Sequence, residues 1–184
     1  MTVVLLDRDG VINGNRDDYV KTVDEFVFLP GVLEGLAKLK EAGITAVVVS
    51  NQAGVGRGLI APAELERINR KMLRMVVEHG GEISGLYYCV HRKDEGCSCR
   101  KPEIGLFHRA SAELDFDLAE SYFIGDTRSD IEAGRRAGCR TVLVLTGMAS
   151  AEEIGTWDDC RPDFVARDLP SAVDWILATC QRQA

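Results

Sequence analysis

Short apolar runs alternate with helix-patterned segments along most of the chain, and this alternation most narrows the folds open to it. The runs are rich in Val, Ile, Leu or Tyr, as buried strands are. They lie at 3–6, 44–49, 86–90, 122–124 and 141–145. The helix-patterned segments lie at 31–42, 62–79, 106–114, 129–137 and 172–180. The pattern predicts an α/β fold, a doubly wound parallel sheet with helices on both faces, in which ligands bind beyond the carboxyl ends of the strands.

Length and charge narrow the organisation and the partners. The 184 residues fit one core, so we expect a single domain over 1–184 without a large cap domain, in a monomer. The 22 basic and 29 acidic residues give a net charge of -7, which disfavours nucleic acid. Neither a signal peptide nor a membrane-spanning run is evident, so we expect a cytoplasmic protein with no membrane partner.

Two aspartates stand at the end of the first run, in the stretch D-R-D-G at 7–10. If the backbone stays extended there, Asp7 and Asp9 point to the same side and Arg8 faces away. Carboxylates so close repel each other, which favours a cation between them or a proton on one of them. A solvated turn is the alternative, since Asp and Gly are common in turns.

Polar side chains also follow the second predicted strand. Ser50, Asn51 and Gln52 offer a hydroxyl and two amides, and a glycine-rich segment at 53–58 follows with Arg57 as its cation. We expect this segment to be a flexible loop. It could cradle a phosphate, and a plain surface loop is the alternative.

The third and fourth predicted strands are followed by charged residues. Arg100 and Lys101 lie after the third strand and before a helix. They would bring a planar guanidinium and a compact ammonium to the same edge of the sheet. Asp126 ends the fourth strand, and Asp130 lies in the first turn of the next helix, where it could simply favour the helix dipole. Together the strand ends supply carboxylates, a hydroxyl and a lysine, the groups of a Mg²⁺-dependent phosphoryl-transfer site.

Three thiols and an imidazole cluster between the third strand and the next helix. They are Cys89, His91, Cys97 and Cys99. A Cys₃His set suits tetrahedral Zn²⁺, and four protein ligands leave no open position, so we expect a structural zinc that shapes the loop 89–99. A disulfide is the alternative, but it needs an oxidising compartment that nothing else in the sequence indicates.

Four of these features resemble, in order and strand context, the motifs of the haloacid dehalogenase (HAD) superfamily, over residues 3 to about 147. In chain order they are D-R-D-G at 7–10, Ser50, Lys101 and G-D-T-R-S-D at 125–130. The resemblance implies a phosphatase in which Asp7 is the nucleophile, forming an aspartyl-phosphate, and Asp9 is the general acid and base. It also implies that Ser50 and Lys101 hold the phosphoryl oxygens.

The same resemblance implies a magnesium site. Its ligands would be Asp7, the backbone carbonyl of Asp9, and Asp126, with Asp130 behind them or as an occasional ligand.

The cysteine and histidine block with the following R-K-P is similar to that of one HAD branch, which contains heptose-bisphosphate 7-phosphatases and histidinol-phosphate phosphatases. The aromatic residues around 19–28 and the stretch N-Q-A-G-V-G-R-G at 51–58 look more like the heptose enzymes. The resemblance implies a sugar bisphosphate substrate, with Asn51, Arg57 and Arg100 as contacts and the two arginines facing the phosphate that is not cleaved. Histidinol phosphate is the alternative substrate.

Two functions other than phosphatase activity remain compatible with the sequence. A phospho-receiver domain also places aspartates, a hydroxyl and a lysine at strand ends, but its phosphorylated aspartate follows the third strand, where this chain has the cysteine loop. A zinc-stabilised interaction module that has lost catalysis is the other, although every expected catalytic position is filled.

Overall fold

One six-stranded parallel sheet organises the protein, whose computed structural model describes residues 1–157 and 159–182. The strands are Val3–Leu6 (β1), Thr45–Asn51 (β2), Gly85–Cys89 (β3), Tyr122–Gly125 (β4), Arg140–Val144 (β5) and Phe164–Ala166 (β6). The α-helices of the described residues are Val32–Glu41 (α1), Ala53–Gly56 (α2), Pro62–Glu78 (α3), Gly105–Leu114 (α4), Arg128–Ala137 (α5), Ala151–Ile154 (α6) and Leu169–Gln181 (α7). One-turn 3₁₀ helices lie at Lys93–Glu95 and Leu118–Glu120.

The strand order β3-β2-β1-β4-β5-β6 and the placement of the helices confirm the doubly wound fold. Successive side chains of a strand point to opposite faces, and β1 is buried on both. Val4 and Leu6 pack in a core with α1, α3 and α7, whereas Val3 and Leu5 pack in a second core with α4 and α5. Both faces of the sheet are therefore covered, which is why its central strands are continuous apolar runs rather than alternating ones.

The glycine-rich segment after β2 differs from its prediction. A flexible loop was the expectation for 53–58, but Ala53–Gly56 forms the one-turn helix α2. Its glycines permit close packing: a Cβ on Gly54 would lie 2.6 Å from the Ile60 Cδ1 atom, and one on Gly56 would overlap the Val90 carbonyl oxygen. Gly54 and Gly56 thus allow tight packing against neighbouring residues, and composition alone cannot distinguish this role from chain mobility.

The winding direction reverses between β1 and β4, from which β2 and β3 extend one way and β5 and β6 the other. Ligands of such sheets bind at this switch point, beyond the carboxyl ends of the strands. The long connections 7–31 and 90–104 reach this end, and both are fully described. The first contains no helix, and the second contains only the 3₁₀ turn Lys93–Glu95. Within the described part of the chain, no helix is long and apolar enough to cross a bilayer.

Candidate active site

A cavity of about 350 Å³ opens at the switch point. Asp7 directly follows β1, Asp126 directly follows β4, and Ser50 is the penultimate residue of β2, so neighbouring strands deliver all three to one edge. The sequence-predicted residues that line the cavity are Asp7, Asp9, Ser50, Asn51, Arg100, Lys101, Asp126 and Asp130.

The Lys101 ammonium is buried between two carboxylates. Its Nζ lies 3.0 Å from Asp7 Oδ1 and 2.7 Å from Asp130 Oδ1, and it donates to the Val49 carbonyl at 3.0 Å. Burial alone would lower the pKa of Lys101, but Asp130 and Asp7 outweigh it and the pKa is raised. Lys101 is therefore a fixed positive charge in the floor of the cavity.

The carboxylates carry more negative charge than Lys101 balances. Burial raises the pKa of Asp7 to about 6 despite the attraction of Lys101. Burial, with repulsion from Asp7 and Asp130, raises the pKa of Asp126 to about 8. One oxygen from each of Asp7, Asp126 and Asp130 lies within 4.8 Å of the others. Such a group of hard oxygen donors can hold a divalent cation.

Asp126 is held tightly by the backbone around it. Its Oδ2 accepts from the Met148 N–H at 2.9 Å, while its Oδ1 is buried with no hydrogen-bond partner among the described residues. A Cβ on Gly10, which has φ of +85°, or on Gly147 would overlap this carboxylate. Gly147 and Met148 therefore belong to the site, although no sequence motif indicates them, because they contact Asp126 through their backbone atoms.

Asp130 has two functions in the structure. It forms a capping box with Thr127, whose Oγ1 donates to Asp130 Oδ2 at 2.6 Å, as an N-terminal helix acid can. Its other oxygen pairs with Lys101. The helix-terminus interpretation was thus correct but incomplete.

Arg8 departs from its expected position. The backbone turns after β1 instead of staying extended, with the Ile12 N–H donating to the Arg8 carbonyl at 2.8 Å. The Arg8 side chain is fully buried, and its guanidinium folds back onto Asp9, with Nη2 3.0 Å from both carboxylate oxygens. On the other side, Gln52 Nε2 donates to Asp9 Oδ2 at 2.7 Å and to Ser50 Oγ at 3.2 Å. From the sequence, Gln52 is only one of the polar residues after the second strand, with no assigned role, and Arg8 is expected to face away.

The three predicted substrate contacts occupy different positions. Asn51 clamps the Lys101 backbone, accepting from its N–H at 3.0 Å and donating to its carbonyl at 3.2 Å. Arg100 lines the cavity, and its Nη1 is buried with no hydrogen-bond partner in the described part of the chain. Arg57 lies outside the cavity wall, with its guanidinium carbon 6.0 Å from the ring centroid of Tyr19, which does line it.

The cysteine and histidine cluster lies next to this site. Cys89 Sγ is 3.6 Å from His91 Nδ1 and from Cys97 Sγ, and Cys99 Sγ is 3.2 Å from His91 Nδ1 and 3.5 Å from Cys97 Sγ. These sulfurs are too far apart for a disulfide, and all six cysteines are free. Metal–sulfur bonds of about 2.3 Å in a tetrahedron require ligand separations of about 3.7 Å, so the cluster fits a bound metal ion.

Comparison with known proteins supports the assignment of the fold to the HAD superfamily. The HAD-hydrolase-like family model matches residues 98–172. The D-glycero-beta-D-manno-heptose-1,7-bisphosphate 7-phosphatase of Pseudomonas aeruginosa is 42% identical over 146 residues, which cover 79% of this chain and 82% of that protein. The protein of the same name from Escherichia coli is 36% identical over 178 residues, covering 92% and 93%.

A solved structure supports the same family assignment. The crystal structure of D,D-heptose 1,7-bisphosphate phosphatase from B. bronchiseptica, complexed with magnesium and phosphate, superposes with a TM-score of 0.90 at 36% identity, covering 97% of this chain and 99% of that one. Fold and site together define a phosphatase of the HAD superfamily. Within it, the chain belongs to the family of the D-glycero-beta-D-manno-heptose-1,7-bisphosphate 7-phosphatases.

Proposed function

We propose that this protein hydrolyses the 7-phosphate of D-glycero-beta-D-manno-heptose 1,7-bisphosphate through an aspartyl-phosphate on Asp7. The observation that carries the proposal is the buried group of Asp7, Asp126 and Asp130 around Lys101, since such a group has little structural use without a cation and a phosphate. The names of the relatives favour the heptose bisphosphate over histidinol phosphate.

The mechanism uses two carboxylates in different roles. An Asp7 oxygen attacks phosphorus, forming the aspartyl-phosphate while the bond to the sugar oxygen breaks, and Asp9 gives that oxygen a proton. Water then attacks phosphorus, Asp9 takes its proton, and phosphate leaves as the Asp7 carboxylate is restored. The Lys101 ammonium and the Ser50 hydroxyl stabilise the charge on the phosphoryl oxygens in both steps.

A magnesium ion fits the donor set of this site. Asp7 and Asp126 would hold it with the backbone carbonyl of Asp9, and Asp130 would stand behind them, tied to Lys101. The unpartnered, buried Oδ1 of Asp126 supports this assignment, because a buried carboxylate oxygen without a donor is costly unless a cation meets it. Bound there, Mg²⁺ would neutralise charge on the phosphoryl group.

Arg100 is the better of the two predicted contacts for the phosphate that is not cleaved. Its buried Nη1 faces no acceptor among the described residues, and it lines the cavity beside Lys101. Arg57 would reach a substrate only by leaving Tyr19. Asn51 would act mainly through Lys101, whose backbone it holds. The single domain over 1–184, the monomeric state, the cytoplasmic location and the absence of nucleic-acid and membrane partners stay predictions.

Steady-state phosphate release tests the proposed substrate. We expect turnover to require Mg²⁺ and kcat/KM to be at least about tenfold higher for the beta anomer of heptose 1,7-bisphosphate than for histidinol phosphate, because only the bisphosphate can bind Arg100 with a second phosphate. Arg100→Met should remove most of this preference. Equal values for the two substrates, or a preference for histidinol phosphate, would refute the heptose assignment while leaving the catalytic residues in place.

We also propose that the four-residue cluster binds structural zinc and holds the loop that carries Arg100 and Lys101. Cys97→Ser is expected to lose the stoichiometric zinc that the purified wild-type protein retains through dialysis, because one thiolate ligand is gone. Elemental analysis measures this independently of activity. Cys180→Ser is the matched control, since Cys180 packs against Tyr122 in the core on the other face of the sheet. Full zinc content in Cys97→Ser would eliminate the site.

A further inference from the structure

The Asp9 carboxylate is held from behind by side chains that do not line the cavity. Arg8 donates to both of its oxygens, Asn13 Nδ2 donates to Oδ1 at 2.8 Å, and Gln52 Nε2 donates to Oδ2 at 2.7 Å. These three residues are buried, and none belongs to the cavity wall. They can influence a bound substrate only through Asp9 or another residue of that wall.

Two of these donors have a structural explanation. Arg8 is a fully buried cation, so Asp9 is its counter-charge. Asn13 closes the turn after β1, where its N–H donates to the Arg8 carbonyl at 3.1 Å and its carbonyl accepts from Gly10 at 2.8 Å. Neither bond to Asp9 needs a catalytic reason.

Gln52 has no comparable explanation. It directly follows β2 and is not part of the turn after β1. Its side chain lies on the same side of the chain as that of Ser50, two positions earlier. Its amide nitrogen donates to both Asp9 Oδ2 and Ser50 Oγ. A buried amide is costly unless it is hydrogen-bonded, and this one is placed between the two side chains that act on opposite ends of the breaking bond.

We propose that Gln52 is a positioning residue for proton transfer by Asp9. By bonding Asp9 and Ser50 at once, it fixes the group that protonates the leaving oxygen relative to the hydroxyl that holds the phosphoryl group. Small displacements of a proton donor are costly for rate, which gives such a tie its value. This inference rests on the acid–base role of Asp9 in the proposed function.

The test compares two leaving groups, using kcat/KM because it covers the steps only up to release of the alcohol. Gln52→Met keeps the volume and removes the donor. The alkyl phosphate is whichever of heptose bisphosphate and histidinol phosphate is the better substrate, and its alkoxide leaving group needs a proton. For it we expect kcat/KM to fall by about tenfold or more. For p-nitrophenyl phosphate, whose leaving group needs no proton, we expect a fall of less than about threefold. The ratio of the two values does not depend on how much of the variant is folded.

Two further variants separate the possible failures. Asn51→Leu is the matched control: its amide holds Lys101 and not Asp9, so it should lower both values by a similar factor. Asp9→Asn should show the leaving-group difference at its largest. If Asp9→Asn shows the leaving-group difference but Gln52→Met lowers kcat/KM equally for the two substrates, or lowers it for neither, the positioning role is overturned. If Asp9→Asn also lowers both equally, the acid role of Asp9 fails, and the inference with it.

Discussion

Asp7→Asn is expected to lower kcat by about 10⁴-fold or more while leaving the protein at least as thermostable as the wild type, measured without added Mg²⁺. The loss of activity follows from removing the nucleophile, since the other described carboxylates predicted for this site have other proposed roles. Asp9 is the acid and base, Asp126 is a metal ligand, and Asp130 stands behind the metal and pairs with Lys101.

The stability follows from the electrostatics of the cluster. The pKa of Asp7 is raised to about 6, so its ionised form is less favourable in the folded protein than in the unfolded chain. This penalty is absent below the ordinary pKa near 3.8 and is fully present above about pH 6. At pH 7.5 the neutral amide therefore removes an unfavourable charge, and Lys101 keeps Asp130 as its partner at 2.7 Å.

Phosphate release and thermal unfolding at pH 7.5 measure the two effects. Asp126→Asn provides a graded comparison, because the pKa of Asp126 is raised further, to about 8, and its Tm without Mg²⁺ should rise by more. Wild-type rates in Asp7→Asn would remove the nucleophile assignment. A Tm several degrees below that of the wild type would contradict the account of repulsion within the cluster.

Sequence patterns predict the central sheet because its strands are buried on both faces. β1 matches its predicted bounds, and β2 to β5 differ by small shifts at their ends. β6 was missed because Phe164–Ala166 is short and forms through a tertiary contact. The Asp163 carboxylate accepts hydrogen bonds from the Thr141 N–H at 2.7 Å and from the Thr141 hydroxyl at 2.9 Å. These two bonds align β6 beside β5. No local pattern records such a pairing.

The cavity was predictable to the extent that it follows from strand ends. Parallel strands end at a common edge, so polar residues after β1, β2 and β4 had to meet there. What the sequence could not supply is which partner each side chain finds. Arg8 turns inward, Asn51 serves Lys101, and Gln52 bonds Asp9, because each depends on where the chain bends after its strand.

Asp9→Asn is expected to abolish turnover of alkyl phosphates as Asp7→Asn does, but with the opposite effect on stability. Arg8 is fully buried and its guanidinium pairs with Asp9, so the substitution leaves a buried cation without a counter-charge. Breaking one side of such a pair costs about 3 kcal/mol. For a chain of this size, that corresponds to a fall in Tm of roughly 6–12 °C.

Calorimetry of three variants isolates this cause. Asp7→Asn is the matched control, the same chemical change two residues away, and should not lower Tm. Arg8→Met combined with Asp9→Asn should be more stable than Asp9→Asn alone, because no unpaired charge then remains buried. If Asp9→Asn matched Asp7→Asn in Tm, the Arg8 pair would not contribute to the fold. The expected difference would mean that one aspartate of D-R-D-G is retained at a cost in stability for its chemistry, whereas the other stabilises the fold and carries out chemistry with the same carboxylate.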